Sequence, residues 1–297
     1  MIVVTFGGSI YAWDSPASIA LWVIFGVCLI TFILQQYFLI FTTEDRRIFP
    51  AHFLKSRTLV LLYLATGGAG AAQATTLYYT PLYFQFTRGD SALQAAVRLL
   101  PFICTFILFV MVAGGSLPIV GRYNLYYIIG GCLIVAGAAP LCTIDETTSA
   151  GRIYGFEVLM ATGIGLVFQN AYSVAVAKVP AKDQAKVIGF INVAQIGTIA
   201  ISLSIVGSLF QNLGFSSLEK GFAGYPIPKE YIRSALAGRI SPIFSSADPE
   251  TIHIAIVAIA DTIRRIFGTV VAAGALIVIS GLLMKFEKID LDVVAGG

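Results

Sequence analysis

The sequence predicts an all-α, polytopic membrane bundle of about seven helices. Three observations carry this. Apolar stretches of about 20 residues recur along the chain, the length a helix needs to cross hydrocarbon. Short charged loops separate them, and residues 18–41 hold no ionisable side chain. Of the 297 residues 57% are hydrophobic and 12% charged, against roughly 25% charged in soluble domains. A mean hydropathy of +0.85 fits several spans rather than one anchor. Water cannot satisfy backbone amides inside lipid, so the spans are helices.

The first span is read at residues 17–41, an unbroken apolar run. The second, 59–84, is rich in small residues around Gly67, Gly68 and Gly70. Small residues let helix backbones approach closely in a membrane. The third and fourth are read at 93–115 and 125–142. The fifth, 153–177, carries Gly155, Gly163 and Gly165. The sixth is 187–210 and the seventh 267–284. Residues 1–10 are apolar, yet too short to span and without the basic start of a signal peptide. They read as the tail of a span whose beginning is missing. The chain thus divides into 1–57, a truncated leading span with one full helix and a loop, and 58–297, a six-helix unit.

Basic residues in short loops set orientation. Arg46, Arg47, Lys55, Arg57, Arg122, Lys178, Lys182, Lys186, Lys285 and Lys288 all fall on one side. That side, with the C-terminus, is expected to be cytoplasmic. One outer loop is long, 211–266. Within it Asp248-Pro249-Glu250 has a helix-start pattern. Ile252, Ile256, Ile259, Ile263 and Ile266 then recur at helical spacing, an amphipathic lead-in lying on the interface or on the protein. A short helix is expected near 229–237, after a turn-rich connector at 221–228.

Several function classes are disfavoured. A net charge of +3 gives no case for nucleic acid. Cys28, Cys104, Cys132 and Cys142 have no metal-site spacing and read as small apolar packing residues. His52 and His253 stand far apart. No catalytic constellation, metal site or cofactor is expected, and no phosphate loop of the Walker type appears.

Polar groups within spans are costly in lipid and tend to face the bundle interior. Gln73 lies near mid-depth in the second span, for a ligand cavity or an interhelical bond. Tyr78 and Tyr79 suit amphipathic ligands or an interfacial aromatic belt. Gln169 and Asn170 point about 100° apart, so at least one should reach the cavity or a neighbour. Asn192 and Gln195 share a face, for ligand or for packing. Glu157 is the acid well inside a span, either a proton-coupling group or a partner for Arg152 or Arg98. Arg98 itself, before Pro101, is expected to snorkel or pair, with coupling as its functional alternative.

These residues resemble a known family. Residues 6–15 (FGGSIYAWDS), 78–85 (YYTPLYFQ), 91–101 (SALQAAVRLLP), 121–124 (GRYN) and 163–170 (GIGLVFQN) follow in the order of the C-terminal half of fungal 14-span multidrug transporters. These are drug:proton antiporters of the major facilitator superfamily. The resemblance covers nearly the whole chain, and the charge-based orientation agrees with it. One departure is Gln195-Ile196-Gly197-Thr198, where a glycine pair more usually follows the glutamine.

The resemblance implies two inverted three-helix repeats after one extra span. It implies proton-driven efflux of small amphipathic drugs, toxins or secondary metabolites across a plasma or vacuolar membrane. Gly121 and Arg122 would form a gating loop, against plain positive-inside topology for Arg122. The expected partners are lipid, a small-molecule substrate, protons and a separate N-terminal half. The alternatives are a truncated remnant without transport, and a siderophore or sugar carrier of the same superfamily.

Overall fold

The computed structural model describes residues 14–38, 40, 49–239, 241–246 and 248–289. The apolar start at 1–10, most of the 6–15 motif, and Arg46 and Arg47 lie outside these. Among the described residues the regular elements are all helical.

Helix α1 is Pro16–Phe38 and α2 is Arg57–Arg88. A capped turn, α3 (Ala92–Val97), leads into α4 (Leu100–Val120). Then come α5 (Tyr123–Leu141), α6 (Ala150–Phe168) and α7 (Asn170–Ala177). Helices α8 (Gln184–Asn192) and α9 (Thr198–Gly221) are joined by a π-helical turn, Val193–Gly197. Two short helices, α10 (Lys229–Ala235) and α11 (Pro242–Ser246), precede α12 (Pro249–Leu283).

The termini of these helices follow local chemistry. Gly89 and Gly121 end α2 and α4 at φ +71° and +68°, the left-handed conformation that suits glycine. Ser91 and Gln94 form a capping box at α3. Asp248 accepts a 2.7 Å bond from the Thr251 amide, with Pro249 at the first turn of α12. That backbone bond holds the Asp248 carboxyl below its usual range.

Among the described residues six stretches are long and apolar enough to cross a membrane: Pro16–Phe38, Ala92–Val120, Tyr123–Leu141, Ala150–Ala177, Ala181–Gly221 and Pro249–Leu283. The chain is an integral, multi-pass membrane protein. Helix α2, the second predicted span, falls outside this set although it has 32 residues. Its position explains its composition. It packs against α12, α9 and α6, and much of its length is buried. Threonines and glycines there meet protein rather than lipid.

Among the described residues the six spans from α2 onward (α2, α4, α5, α6 with α7, α8 with α9, and α12) alternate in direction. One end, called here the basic end, gathers Arg57, the Gly121 turn, Lys178 and the C-terminal tail. The far end gathers the turns at 89–91 and 142–149 and the segment 222–248. Helix α5 packs between α12 and α6, and α6 between α5 and α4. Adjacent glycines on α5 serve opposite neighbours. A methyl added at Gly130 would lie 2.7 Å from the Gly163 carbonyl oxygen on α6. One added at Gly131 would lie 2.8 Å from the Val278 amide on α12. The outside of the bundle carries Leu100, Ile107, Leu108, Met111, Ile201, Ile205, Ile279 and Leu282, an apolar surface for hydrocarbon to cover. Helix α1 stands apart, with only Ser18 and Gln36 buried.

Three readings need adjustment. The sixth span does not stop at 210, nor the seventh begin at 267. Helix α9 runs on to Gly221 and α12 starts at Pro249, so the connecting segment is 222–248. A helix need not end where hydrocarbon ends, and Gln211, Asn212 and Glu219 lower hydropathy without breaking it. The isoleucine lead-in is continuous with the last span. Of the two placements expected for it, the one on the protein holds for Ile259, Ile263 and Ile266, which are buried. Cys28, Cys104 and Cys132 are exposed on the outside of the bundle, so they are not packing residues of the described helices.

The C-terminal tail folds back over the basic end. The Ile289 amide donates to the Gly121 carbonyl at 2.9 Å. Lys178 Nζ lies 2.7 Å from Glu287 Oε1, and the Tyr123 hydroxyl donates to the same oxygen at 3.4 Å. The Lys178 ammonium holds the Glu287 carboxyl below its usual range. A depressed carboxyl stabilises the contact above the ordinary carboxylate range and loses it as pH falls through its folded value. The pair is partly exposed, so the effect is small. E287Q is expected to speed hydrogen exchange of the tail peptide at neutral pH by about twofold to fivefold. The wild type reaches the same protection only in acid. Equal exchange in both proteins at neutral pH would remove the contact from consideration.

Candidate functional site

Two of the long helices are broken, and the breaks face each other. The first lies between α6 and α7. Gln169 sits at φ −103°, and the Tyr172 amide bonds the Gln169 carbonyl at 3.2 Å, three residues back instead of four. This leaves the Phe168 carbonyl without its helical donor. Gln195 Nε2 supplies one at 3.1 Å. The second break is the π-helical turn carrying Gln195. Such turns widen a helix locally and are frequent at functional sites.

A polar cluster closes around these breaks. The Tyr172 hydroxyl donates toward Asn192 Oδ1 at 2.6 Å and Gln195 Oε1 at 3.0 Å. Asn192 is exposed and Gln195 is 8% exposed, so the cluster runs from the helix–helix contact to an open face. Helix α2 comes close because its own glycines allow it. A methyl at Gly70 would sit 3.0 Å from the Gln195 carbonyl oxygen. Gln73, one turn further along, is half-buried on the same side.

Asn192 and Gln195 are therefore brought together, as their spacing allowed. Tyr172, which joins them, is absent from the candidates read from the sequence. The signal was a hydroxyl-bearing ring three residues beyond Gln169 inside a span. Asn170 is buried, but its amide donates to the Leu166 carbonyl of its own helix at 2.8 Å. Gln169 is exposed at the break. Neither amide of that pair makes a side-chain bond to a neighbouring helix.

Tyr78 and Tyr79 lie at a different place, nearer the far end of α2. Tyr79 is buried against Phe210, ring centroids 5.6 Å apart, and Tyr78 is exposed. Both line a cavity of about 440 Å³ between α2, α9 and the turn after α10.

Glu157 lies on the buried stripe of α6 with Ile153, Met160 and Ile164. Its side chain is fully buried, and neither carboxyl oxygen has a hydrogen-bond partner among the described residues. The partners considered for it are occupied or distant. Arg98 is paired with Asp90 through Nε and through Nη2, the latter at 3.2 Å. It also donates to the Tyr154 hydroxyl at 2.9 Å and covers the Phe84 ring at 4.6 Å. Arg152 is exposed. Arg98 thus clamps the far end, where the Arg88 guanidinium also bonds the Thr148 carbonyl at 2.6 Å. Tyr154, which the clamp holds, lies about one helical turn before Glu157 on α6. At the basic end Gly121 is buried beneath the tail and Arg122 is exposed.

Antiparallel helices with two discontinuous members meeting at a polar cluster are the build of a secondary-transporter bundle. No family model matches the chain. Individual relatives do. The chain is 34% identical to the efflux pump patC of Aspergillus clavatus, over 97% of its own length and 52% of the relative's. It is 34% identical to the MFS-type transporter patC of Penicillium expansum, over 97% and 53%. It is 32% identical to the phomenoic acid biosynthesis cluster MFS-type transporter of Leptosphaeria maculans, over 98% and 49%. The chain is thus a relative of MFS-type transporters and efflux pumps, and it spans about half the length of those it matches.

Proposed function

We propose that this chain forms one half of a proton-driven exporter of small amphipathic compounds, such as drugs, toxins or secondary metabolites. The observation that carries the reading is the pair of facing helix breaks tied by Tyr172, Asn192, Gln195 and the Phe168 carbonyl. Unwound backbone is tolerated at membrane depth where it is buried in protein or lines a cavity. In transporters such helices form the substrate site. Asn192, Gln195 and Tyr172 would hydrogen-bond the substrate, with Gln73 and Gln169 at the edge of the same space. Asn170 would hold the break. Tyr78 and Tyr79 would offer aromatic surface further along.

The remaining roles follow from chemistry. Glu157 is the proton-coupling group. Arg98 positions the far end around it through Tyr154. The turn at Gly121 and Arg122, covered by the tail, gates the basic end, which faces the cytoplasm, as does the C-terminus. The membrane is the plasma or vacuolar membrane. The opposite wall of the cavity comes from a further set of spans, equivalent to the part of the relatives that this chain does not match. Residues 58–297 are the six-helix unit that meets it.

The test is dye export. The chain is joined to the unmatched part of the Aspergillus clavatus relative and expressed in yeast loaded with Nile red, an uncharged amphipathic dye. Export that a protonophore abolishes is the expected result, and none above cells carrying the unmatched part alone would end the reading. In the same assay Q195A removes both the bond to Phe168 and the acceptor for Tyr172. It is expected to change relative export rates across a panel of compounds by about threefold to tenfold, as one hydrogen bond implies. A uniform loss for every compound would make Gln195 a packing residue.

A further inference from the structure

The cavity at the far end differs in kind from the polar cluster. Aromatic rings from Tyr78, Tyr79 and Phe210 form one side of it. Ser204 and Gln211 add polar atoms, and among the described residues no side chain that lines it is charged. Its volume of about 440 Å³ lies within the range of drug-sized sites. Gly207 opens onto it. A methyl added there would meet no heavy atom within 4 Å, so the glycine leaves space instead of making a close contact.

The last wall comes from outside the six long helices, from Leu236 and Ala237 just after α10. This segment is seated, not loose. Leu236 is 4% exposed and packs on Gly214 of α9, where an added methyl would lie 2.6 Å from its Cδ2 atom. Arg233 covers the Phe215 ring at 5.1 Å. The connecting segment therefore completes a pocket that the spans alone leave open.

We propose that this pocket is a second binding site, on the exit side, for uncharged aromatic compounds with one or two hydrogen-bonding atoms. This rests on the export reading and narrows its substrate class. Burying an ionic group in a pocket without an opposite charge is costly, whereas rings stack well on tyrosine and phenylalanine. Anionic compounds are thus rejected here even when they share the same ring system.

Photolabelling of the chain in yeast membranes tests it, with benzophenone as the neutral probe and 4-benzoylbenzoate as its anionic counterpart. Benzophenone adducts are expected on peptides carrying 203–211 and 236–237. G207F fills the pocket and is expected to lower them by about fivefold, about 1 kcal/mol of binding. Adducts on lipid-facing α1 should stay constant and report the membrane background. Y78A, at an exposed ring, should lower the same adducts without crowding the helix. The anion should label these peptides about fivefold less than benzophenone, by the same conversion. Labelling indifferent to both variants, or equal for the two probes, overturns the pocket. Because dye export is read separately, protonophore-sensitive export with indifferent labelling removes the pocket alone. Variant-sensitive labelling without export removes the export reading and with it the exit role.

Discussion

Replacing Gly163 with leucine is expected to destabilise the bundle strongly, while the same change at Gly155, two turns earlier on the same helix, is expected to be silent. The contrast lies in what a side chain would meet. A methyl at Gly163 would sit 2.8 Å from the Ile134 amide and 2.9 Å from its Cγ1 atom. These belong to α5, held in turn by α12, so they cannot move aside singly. At Gly155 nothing lies within 4 Å. Helices in lipid have little hydrophobic drive to associate, so close backbone contact carries much of the stability. Overpacking such a contact costs about 3 kcal/mol, a large share of the roughly 5–15 kcal/mol that holds a native protein. The check is the monodisperse fraction on size-exclusion chromatography in mild detergent. G163L should lower the ratio of assembled to unfolded chain by about a hundredfold, the factor that 3 kcal/mol implies, and so lose its monodisperse peak on mild heating that the parent survives, and G155L should match the parent. Equal profiles would mean that α5 and α6 do not depend on this contact.

The same pair shows what sequence could and could not disclose. That glycines cluster in the spans is visible in the letters. Which of them touch a neighbour depends on helix rotation, which hydropathy does not fix when a helix is apolar on most faces. Most spans were legible from length and apolar content, but α2 was not among the six stretches that meet both measures, because the threonines and glycines it buries in protein lower its hydropathy. Helix ends were not legible, since α9 and α12 continue with polar residues that still favour helix. The amides at 192 and 195 were legible as one stripe. The breaks that make them a site were not. Neither contains proline, and the bonds that stabilise them join residues twenty or more positions apart. Tyr172 was passed over because a tyrosine inside a span looks like packing until its hydroxyl is found between two amides. Glu157 stood out as an acid inside a span, but only the structure rules out its candidate arginines as hydrogen-bond partners.

That last difference gives the second large prediction. Glu157 is fully buried, and its oxygens have no hydrogen-bond partner among the described residues. An ionised carboxylate in such a place is expensive, and acids retained within spans mark ion or proton pathways. E157Q keeps the shape and removes the titration. A purely structural Glu157 would lose nothing by the change, because it makes no side-chain hydrogen bond that glutamine would break. The variant is therefore expected to express and resist heat at least as well as the parent. A group that carries protons behaves differently: with it gone, export driven by a proton gradient should fall by more than about tenfold, a barrier change of about 1.4 kcal/mol or more. Any residual export should lose its dependence on external pH. D90N supplies the contrast, since it frees the Arg98 clamp without touching Glu157. It should lower thermal stability, while transport per folded molecule remains sensitive to a protonophore. If E157Q exports at the parental rate with the parental pH profile, proton coupling lies elsewhere and Glu157 is only a tolerated polar group in the core.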